Sequence, residues 1–326
     1  MKPVARGHGV VTIAWVGDMS LSRDRGLPPG KGASALRGVR RPLRSAGLTV
    51  GNLEGTLGIG GLRKCPAGTP NCFAFQAPAA YARRYRAAGF DVMNLANNHA
   101  LDYGAIGQAQ TIAALERTGI QRTGLPGQIT VVRHRDLHIA LVGFAPYPWA
   151  ARIDDLPAAR ELVAAATTRA DIVVVAMHAG AEGATQGNTP LGHEVAFGED
   201  RGDTRLFAHT VVDAGADLVV GSGPHVIRGM EYYHGRLIAY STGNFLGYHT
   251  FGLGGALSES AILRVKIDQD GRLRGGRWIS VRLDPPGLPV RDRKHRSAAH
   301  MAKLSKEDFG TRAVRVKRDG TIRLPR

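Results

Sequence analysis

Short apolar runs alternate with helical patterns along most of the chain. The apolar runs are rich in β-branched residues and include VVTIAWVGD, LTVGNLEG, FDVMNLANNH, HIALVGFA, DIVVVAMHAG, ADLVVGSGPH and RLIAYSTGN. Between them lie amphipathic segments such as 104–118, where Ile106, Ala109 and Ala113 recur at helical spacing. This alternation predicts an α/β fold in which largely parallel, buried strands are connected by helices.

The pattern changes beyond about Ser258. The runs SAILRVKID and GRLRGGRWISVRL flank an Asp-Gly pair, which predicts an antiparallel hairpin. After residue 290 the chain becomes strongly basic. Segment 291–326 holds twelve Lys or Arg against four Asp or Glu, a net charge of +8, which is half of the +16 carried by all 326 residues. We therefore divide the chain into a folded domain, 1–290, and a basic C-terminal tail, 291–326.

The positive charge does not by itself indicate a nucleic-acid-binding protein. No interleaved aromatic residues and no recognition-helix pattern accompany the basic residues, so we expect no specific nucleic acid partner. No run of 18 apolar residues occurs, which predicts that nothing spans a membrane. The start, MKPVARGHGVVTIAWVGDMS, turns from basic to apolar without a small-residue cleavage site, so a signal for export is expected to have been removed from this chain if the protein is exported.

Two cysteines, Cys65 and Cys72, enclose the loop PAGTPN. Their spacing across a turn favours a disulfide. A metal pair is disfavoured because no further Cys or nearby His completes a tetrahedral set. A disulfide favours an extracytoplasmic or cell-surface location, with the cytoplasm as the alternative.

Polar clusters follow strand after strand in the predicted sheets. They contain Asp18; Asn52 and Glu54; Asn97, Asn98, His99 and Asp102; His178 and Glu182; and His225. A single Asp or His at a strand end commonly caps a helix or forms a turn. Repetition at five strand ends favours one shared site instead, since ligands of open α/β sheets bind at the carboxyl ends of the strands. Oxygen and imidazole groups are ligands that hold divalent metals.

Five blocks carry a resemblance to a known family. In order, they are GDMSLSR, GNLEGTL, NLANNHALDYG, MHAGAEG and GADLVVGSGPHVIRGMEYYHGRLIAYSTGNF. They resemble the blocks of the CapA family of capsule and poly-γ-glutamate synthesis, from about Val11 to Phe245. That family resembles the calcineurin-like metallophosphoesterases, so the resemblance implies a four-layer α/β/β/α sandwich with metal at the strand ends.

The resemblance also implies roles for individual residues. It implies a divalent metal site, of Mn, Zn, Fe or Ca, formed by Asp18, Glu54, Asn98, His178 and His225, with His99 approaching the substrate. Ser20 stands where phosphoesterases have a histidine, and Ser222 and Gly223 stand where many relatives have a further one. Such a site holds one or two ions. Because these histidines are absent, we expect either one tightly bound ion or a weakly bound pair whose coordination is completed by substrate.

Acid/base groups accompany these ligands. His99 with Asp102, and His178 with Glu182, are candidate oriented acid/base pairs. Asp102 has an alternative role as a cap of the helix that follows it. Arg228 and Asn244, in the last block, are assigned to substrate binding. Arg228, Arg236 and the basic tail suit a polyanion.

Two function classes remain open at this point. The first is a metal-dependent enzyme that acts on poly-γ-glutamate or a peptide-like substrate, either by hydrolysis or by proton transfer as in a peptide epimerase, with His99 as acid/base. The second is a non-catalytic cell-surface factor that binds acidic polymer during capsule synthesis or export, associated with the membrane surface or the capsule machinery. The favoured prediction is the enzyme.

Overall fold

The computed structural model describes residues 8–66 and 68–324. Its strands, in chain order, are β1 (Val10–Met19), β2 (Leu48–Leu53), β3 (Thr56–Leu57), β4 (Gln76–Ala77), β5 (Val92–Asn94), β6 (Gln121–Thr123), β7 (Thr130–His134), β8 (Leu137–Ala145), β9 (Ala151–Arg152), β10 (Ile172–His178), β11 (Val195–Ala196), β12 (Glu199–Asp200), β13 (Leu218–Ser222), β14 (Met230–Tyr233), β15 (Arg236–Ala239), β16 (Asn244–Leu246), β17 (Glu259–Asp268), β18 (Leu273–Asp284), β19 (Leu288–Arg291) and β20 (Thr321–Ile322). The α-helices are α1 (Arg40–Arg44), α2 (Tyr81–Ala88), α3 (Gly104–Glu116), α4 (Leu156–Thr167), α5 (Thr204–Asp213) and α6 (Arg296–Phe309). Short 3-10 helices occupy Arg23–Arg25, Gly30–Gly32, Arg37–Val39, Gly255–Ser258 and Gly310–Arg312.

Two large sheets contain most of these strands. The first runs in the order β19-β18-β17-β1-β2-β5-β6, with β16 paired to β1 and β20 paired to β18. Its strands β1, β2, β5 and β6 are parallel, whereas β17, β18 and β19 are antiparallel. The pairing of β17 with β18 confirms the predicted hairpin. The second sheet runs β14-β15-β13-β10-β8-β7, with β8, β10, β13 and β15 parallel.

Apolar side chains alternate along the parallel strands and so reach both faces of each sheet. Between the two sheets lies a core that includes Ile13, Trp15, Leu141, Val174 and Leu218. Residues of α1, α2 and α3 cover the outer face of the first sheet, and residues of α4 and α5 cover the outer face of the second. The four layers are therefore helix, sheet, sheet and helix, which confirms the expected α/β/β/α sandwich.

The predicted helix at 104–118 is confirmed as α3, but its buried face differs from the one expected from Ile106. Ile106 is 60% exposed, whereas Gly107, Thr111, Ala114 and Leu115 are buried. Ala114 and Leu115 on that face pack into the core outside the first sheet, and the backbone N–H of Leu57 donates to the Thr111 hydroxyl at 2.8 Å.

Segment 291–326 contributes folded structure as well as charge. Within α6, Ala298, Met301 and Leu304 enter the core between the sheets, and Phe309 packs with the core outside the second sheet. β20 adds a short antiparallel pairing to β18. The basic side chains of this segment therefore sit on an element whose apolar face is buried.

The predicted disulfide is confirmed. Cys65 and Cys72 are bonded, with their Cα atoms 6.4 Å apart, and close the loop that follows the Glu54 block. Within the described residues, no helix has both the length and the apolar character that crossing a membrane requires.

Candidate metal centre

The carboxyl ends of the parallel strands of both sheets meet at one edge of the sandwich. Asp18 lies near the end of β1, Glu54 follows β2, and His178 is the last residue of β10. One ligand atom from each of these three side chains lies within 4.8 Å of the other two, and all three side chains are fully buried. Residues far apart in the sequence thus form one compact donor set of two carboxylates and an imidazole.

Close approach of two backbones positions Asp18. The Asp18 N–H donates to the carbonyl oxygen of Gly243 at 3.2 Å, and β1 pairs with β16 through Asp18 and Asn244. A Cβ at Gly17 would lie 2.0 Å from the Gly243 oxygen, so a side chain at this position would force the strands apart. Gly17 is therefore required to bring the Asp18 carboxylate to the centre.

His225 adds a second imidazole beside the same carboxylates. Its Nδ1 lies 3.2 Å from Asp18 Oδ2 and 2.9 Å from Asn244 Oδ1, and its Nε2 lies 3.5 Å from Glu54 Oε1. The backbone of His225 has a φ of 60°, a left-handed conformation that is uncommon for a residue with a side chain and is found at functional sites. Asn244, which the sequence assigns to substrate binding, orients this ring.

A network of asparagine side chains holds the donor set in place. Asn52 Nδ2 donates to Asp18 Oδ1 at 2.8 Å and lies 3.1 Å from His178 Nδ1. Asn52 Oδ1 in turn accepts from Asn94 and Asn97 at 3.0 and 3.2 Å. Asn52 and Asn97 belong to the polar clusters seen in the sequence, and their contacts hold the Asp18 and His178 side chains in place.

His99 stands at the side of the donor set, held by Asp102. Asp102 Oδ2 lies 2.8 Å from His99 Nδ1 and accepts the Phe75 N–H at 2.6 Å, while Asp102 Oδ1 lies 2.7 Å from Lys64 Nζ. The other ring nitrogen of His99, Nε2, lies 4.0 Å from Glu54 Oε1. Burial lowers the pKa of His99, and the charge of Asp102 opposes this shift.

Glu182 and Arg201 lie on the side of the donor set where His225 is found. No sequence motif marks Arg201. Glu182 Oε2 lies 3.5 Å from His225 Nε2, and its Oε1 accepts from Arg201 Nη1 at 2.5 Å. Arg201 Nη2 also approaches His178 Nε2 at 3.5 Å, and the arginine is only 1% exposed. Burial alone would raise the pKa of Glu182, but the hydrogen bond from His225 and the charge of Arg201 lower it to about 2.

The electrostatics of the donor set fit a cation. Burial raises the pKa of the Glu54 carboxyl well above its usual range, and both carboxylate oxygens are buried without a hydrogen-bond partner among the described residues. Burial would also raise the pKa of Asp18, but hydrogen bonds from His178 and His225 outweigh this effect and lower it. A divalent cation would satisfy the orphaned Glu54 oxygens, and oxygen with imidazole donors suits Mn, Fe or Zn.

Asn98 offers a further donor to such a cation. Its side-chain Oδ1 is buried and has no hydrogen-bond partner among the described residues, whereas its backbone carbonyl lies 3.4 Å from Lys64 Nζ. An unpartnered amide oxygen beside the His99 turn is suited to binding a metal.

The positions that lack the expected histidines are all buried. Ser20 is fully buried, and Ser222 Oγ lies 3.3 Å from His178 Nδ1. Gly223 has a φ of 114°, and a Cβ there would lie 2.9 Å from the backbone N of Ala179. The Gly223 N–H instead donates to Asp18 Oδ2 at 3.2 Å. The Gly223 backbone therefore approaches Asp18 at a position where a side chain would be strained.

Arg228 lies apart from this centre. Its guanidinium is fully buried and donates to both carboxylate oxygens of Glu194, at 2.9 and 2.6 Å, and to the Gln186 carbonyl at 3.0 Å. The substrate-binding role expected from the sequence does not match this position, because the arginine lies in the interior and its hydrogen bonds stabilise the loop that follows β10. Arg236 lies on β15 and pairs with Asp217 at 3.1 Å.

Comparisons with known proteins extend these observations. The PGA biosynthesis protein CapA of Bacillus subtilis (strain 168) is 28% identical over 257 residues, which cover 73% of this chain and 63% of that protein. A probable polyglutamine synthesis accessory protein of Mycobacterium tuberculosis (strain ATCC 25618 / H37Rv) is 32% identical over 221 residues, 60% of this chain and 54% of that protein. The chain thus spans less than two thirds of the length of these relatives.

Solved structures with a related arrangement include a 5'-nucleotidase precursor from Thermus thermophilus, with a TM-score of 0.49 and 14% identity over 86% of this chain and 56% of that one. The NAD nucleotidase of Haemophilus influenzae has a TM-score of 0.46 and 12% identity over 88% of this chain and 54% of that one. The model for the family described as bacterial capsule synthesis protein PGA_cap matches residues 12–249. Because this match spans more than half of the chain, the chain belongs to the bacterial capsule synthesis protein PGA_cap family.

Proposed function

We propose that the chain is a metal-dependent enzyme that acts on an amide-linked acidic polymer, such as poly-γ-glutamate, with His99 as its acid/base. The observation that supports this most is the geometry of His99, whose Nδ1 is engaged by Asp102 at 2.8 Å while Nε2 faces Glu54 Oε1 at 4.0 Å. A ring held in this way keeps one nitrogen for its orienting partner and presents the other to a reacting group.

The donor set supports a role for a divalent cation bound by Asp18, Glu54 and His178. His225 lies beside Asp18 and Glu54, and Asn98, whose buried Oδ1 has no partner among the described residues, is proposed as a further ligand. When bound, such a cation supplies Lewis-acid polarisation of a carbonyl oxygen. The side chains of His99, Glu182 and His225 retain 8%, 12% and 14% exposure, so a substrate would meet them first.

Two reactions share these requirements. In hydrolysis, His99 takes a proton from the attacking water, whose oxygen adds to the amide carbonyl carbon, and passes that proton to the leaving nitrogen as the C–N bond breaks. In epimerisation, a base removes the Cα proton and a proton returns to the opposite face, so no bond of the polymer backbone is broken. The two differ in what they change, because hydrolysis shortens the polymer and epimerisation alters its D/L ratio.

One experiment tests the proposal and separates the two reactions. Poly-γ-glutamate is incubated in D₂O with the metal-loaded protein, and chain length, D/L content and deuterium at Cα are measured. Shortening supports hydrolysis, while Cα deuterium with a changed D/L ratio supports epimerisation. His99→Ala should lower either signal about a hundredfold or more, and His234→Ala, at an exposed histidine, should retain it. Unchanged polymer with the metal-loaded protein would refute the proposed activity.

The alternative is a non-catalytic factor that binds the polymer at the cell surface. The chain has Ser20 where phosphoesterases have a histidine, and Ser222 and Gly223 where many relatives have a further one. These departures favour the alternative, since a two-metal site is then incomplete. In that case His99→Ala would bind polymer as the parent does and neither protein would change it. An extracytoplasmic or cell-surface location, supported by the disulfide, suits both functions, as does association with capsule machinery.

A further inference from the structure

A groove on the outer face of the first sheet is lined by positive charge. It lies over β17 and β18, with α1 forming one wall, and has a volume of about 440 Å³. Its basic lining residues are Arg41, Arg264, Lys266, Arg274, Arg277 and Arg291, and its lining contains no Asp or Glu. A pocket of this size is large enough for a ligand.

The register of the hairpin places like charges opposite each other. Arg264 on β17 is the direct partner of Arg277 on β18, and Lys266 follows two residues along on the same face as Arg264. Like charges directly across a strand pair destabilise it. An anion bound between these side chains would remove that repulsion.

Much of this charge lacks a protein partner. No carboxylate among the described residues pairs with Arg41, Lys266 or Arg291, all of which are exposed. Arg264 is half-buried and donates through Nη2 to the Ser45 carbonyl at 3.0 Å, whereas its buried Nε has no acceptor among the described residues. Burial lowers the pKa of Arg264. Two of the lining arginines do have carboxylate partners: Arg274 pairs with Asp268 at 2.5 Å, and Arg277 pairs with Asp319 at 3.3 Å.

The floor of the groove has room for an extended chain. Gly275 lies opposite Lys266, and a Cβ at this glycine would meet no atom within 4 Å. Further arginines adjoin the groove, so that the positive surface continues beyond it: Arg37, Arg40 and Arg44 on one side and Arg293 on the other. A row of cations along an open floor suits a linear polyanion better than a single small anion.

The groove is separate from the metal centre. Thr12, in its lining, lies six residues before Asp18 on β1, a separation of roughly 20 Å along an extended strand. We propose that this groove is a second site that binds a linear polymer of carboxylates, holding one stretch of the acidic polymer remote from the metal centre. The choice of polymer rests on the proposed function, whereas the site itself does not.

Other polyanions fit the groove less well. Its lining contains no aromatic side chain on which bases could stack, unlike single-stranded nucleic acid sites. Its apolar lining residues Val265 and Ile279 are 1% and 6% exposed, so they offer no apolar surface for insertion into a membrane.

The test measures binding without turnover. Fluorescently labelled poly-γ-glutamate is titrated with metal-free protein, and anisotropy is followed at low and at physiological salt. Arg41→Gln/Lys266→Gln/Arg291→Gln should weaken binding about tenfold or more and reduce its salt dependence, because counter-charges are lost from the site. The matched control Arg117→Gln/Arg160→Gln/Arg169→Gln removes the same charge from exposed positions elsewhere and should change binding less than about twofold.

The outcomes separate this inference from the proposed function. Equal weakening by both triple variants, or tighter binding of DNA or anionic vesicles than of polymer at the groove, would overturn the inference. Groove-dependent binding without turnover would support the inference while the proposed enzyme fails. If the protein turns over the polymer but the groove variant binds polymer as tightly as the parent does, the proposed function is supported and the inference about the groove fails. Circular dichroism of each variant confirms folding, since exposed substitutions of this kind change stability little.

Discussion

Asp102 Oδ2 lies 2.8 Å from His99 Nδ1 and at the same time accepts the backbone N–H of Phe75 at 2.6 Å. The carboxylate is thus fixed by the loop that it faces, and it fixes the imidazole in turn. The sequence left open whether Asp102 caps α3 or orients His99, and its contacts show that it orients His99.

This relationship predicts different consequences for the two residues of the Asn98-His99 turn. His99→Ala should lower turnover about a hundredfold or more, the usual contribution of a positioned acid/base group, and leave metal content unchanged. Asn98→Ala should lose metal because its unpartnered Oδ1 is removed. Elemental analysis and polymer assays measure both effects. Equal metal loss in both variants would make His99 a ligand.

Asp102→Asn provides a subtler change at the same place. An amide would keep the shape of the side chain but no longer stabilise a positive imidazolium, so turnover should fall about tenfold to a hundredfold, as for other partners that orient a functional histidine. Metal content should stay at the parent level. Normal turnover in this variant would show that Asp102 serves only to hold Phe75 and Lys64.

Glu54 is predicted to be needed for stabilisation of the protein by a divalent metal. Its two orphaned oxygens and raised pKa indicate that the buried carboxyl is poorly satisfied without a cation. Glu54→Gln should therefore change the stability of chelated protein little, yet abolish the gain that the parent shows on adding Mn²⁺ or Zn²⁺, about 2.7 kcal/mol at a hundredfold excess over the dissociation constant. Thermal unfolding with and without metal measures this. A gain retained in Glu54→Gln would remove Glu54 from the donor set.

The centre of this site could be predicted from the sequence, and the reason is geometric. Asp18, His178 and His225 each lie at or just beyond the end of a strand, and parallel strands bring their carboxyl ends to one edge. The alternation of apolar runs with helical patterns already predicts such strands. The meeting of these three side chains could therefore be predicted from local sequence patterns, although the residues are far apart in the sequence.

Arg201 and Arg228 show where that reasoning stops. Both depend on the irregular region between β10 and α5, whose path is set by contacts such as Arg201 N–H to the Glu194 carbonyl at 2.7 Å. No periodicity or motif marks these contacts, so an arginine near the site could not be told from one in the core. The exposed Ile106 on α3 is a similar case, since Ala114 and Leu115 rather than Ile106 pack into the core.

The disulfide is predicted to support the acid/base pair. The loop that Cys65 and Cys72 close is flanked by Lys64 and Phe75, which both contact Asp102, and the Phe75 ring lies 4.6 Å from that of His99. Cys65→Ser/Cys72→Ser should lower the free energy of unfolding by about 2–3 kcal/mol, the value expected for so short a loop. It should also lower turnover while metal content is unchanged. Dithiothreitol should reproduce this in the parent and have no effect in the variant. Full turnover in the variant would uncouple the loop from the site.

A buried carboxylate far from the metal centre predicts how stability depends on pH. Glu231 on β14 is fully buried and meets His209 Nε2 at 3.1 Å, the Tyr240 hydroxyl at 2.9 Å and Arg312 Nε at 2.8 Å. Burial would raise its pKa, but the hydrogen bond from His209 and the other partners lower it below its usual value. The folded protein thus binds this proton less readily than the unfolded chain does.

The sign of the effect follows from that difference. Because the folded-state pKa lies below the unfolded value of about 4.3, the stabilisation by Glu231 is present above that value and is lost as pH falls through the folded one. Glu231→Gln should lower the free energy of unfolding at pH 7 by about 1–3 kcal/mol, since its partners lose a buried charged acceptor, and the loss should shrink at pH 3. Urea unfolding at both pH values measures this, with Glu161→Gln on the exposed face of α4 as the control. A loss of the same size at both pH values would show that the ionised form of Glu231 is not what stabilises the fold.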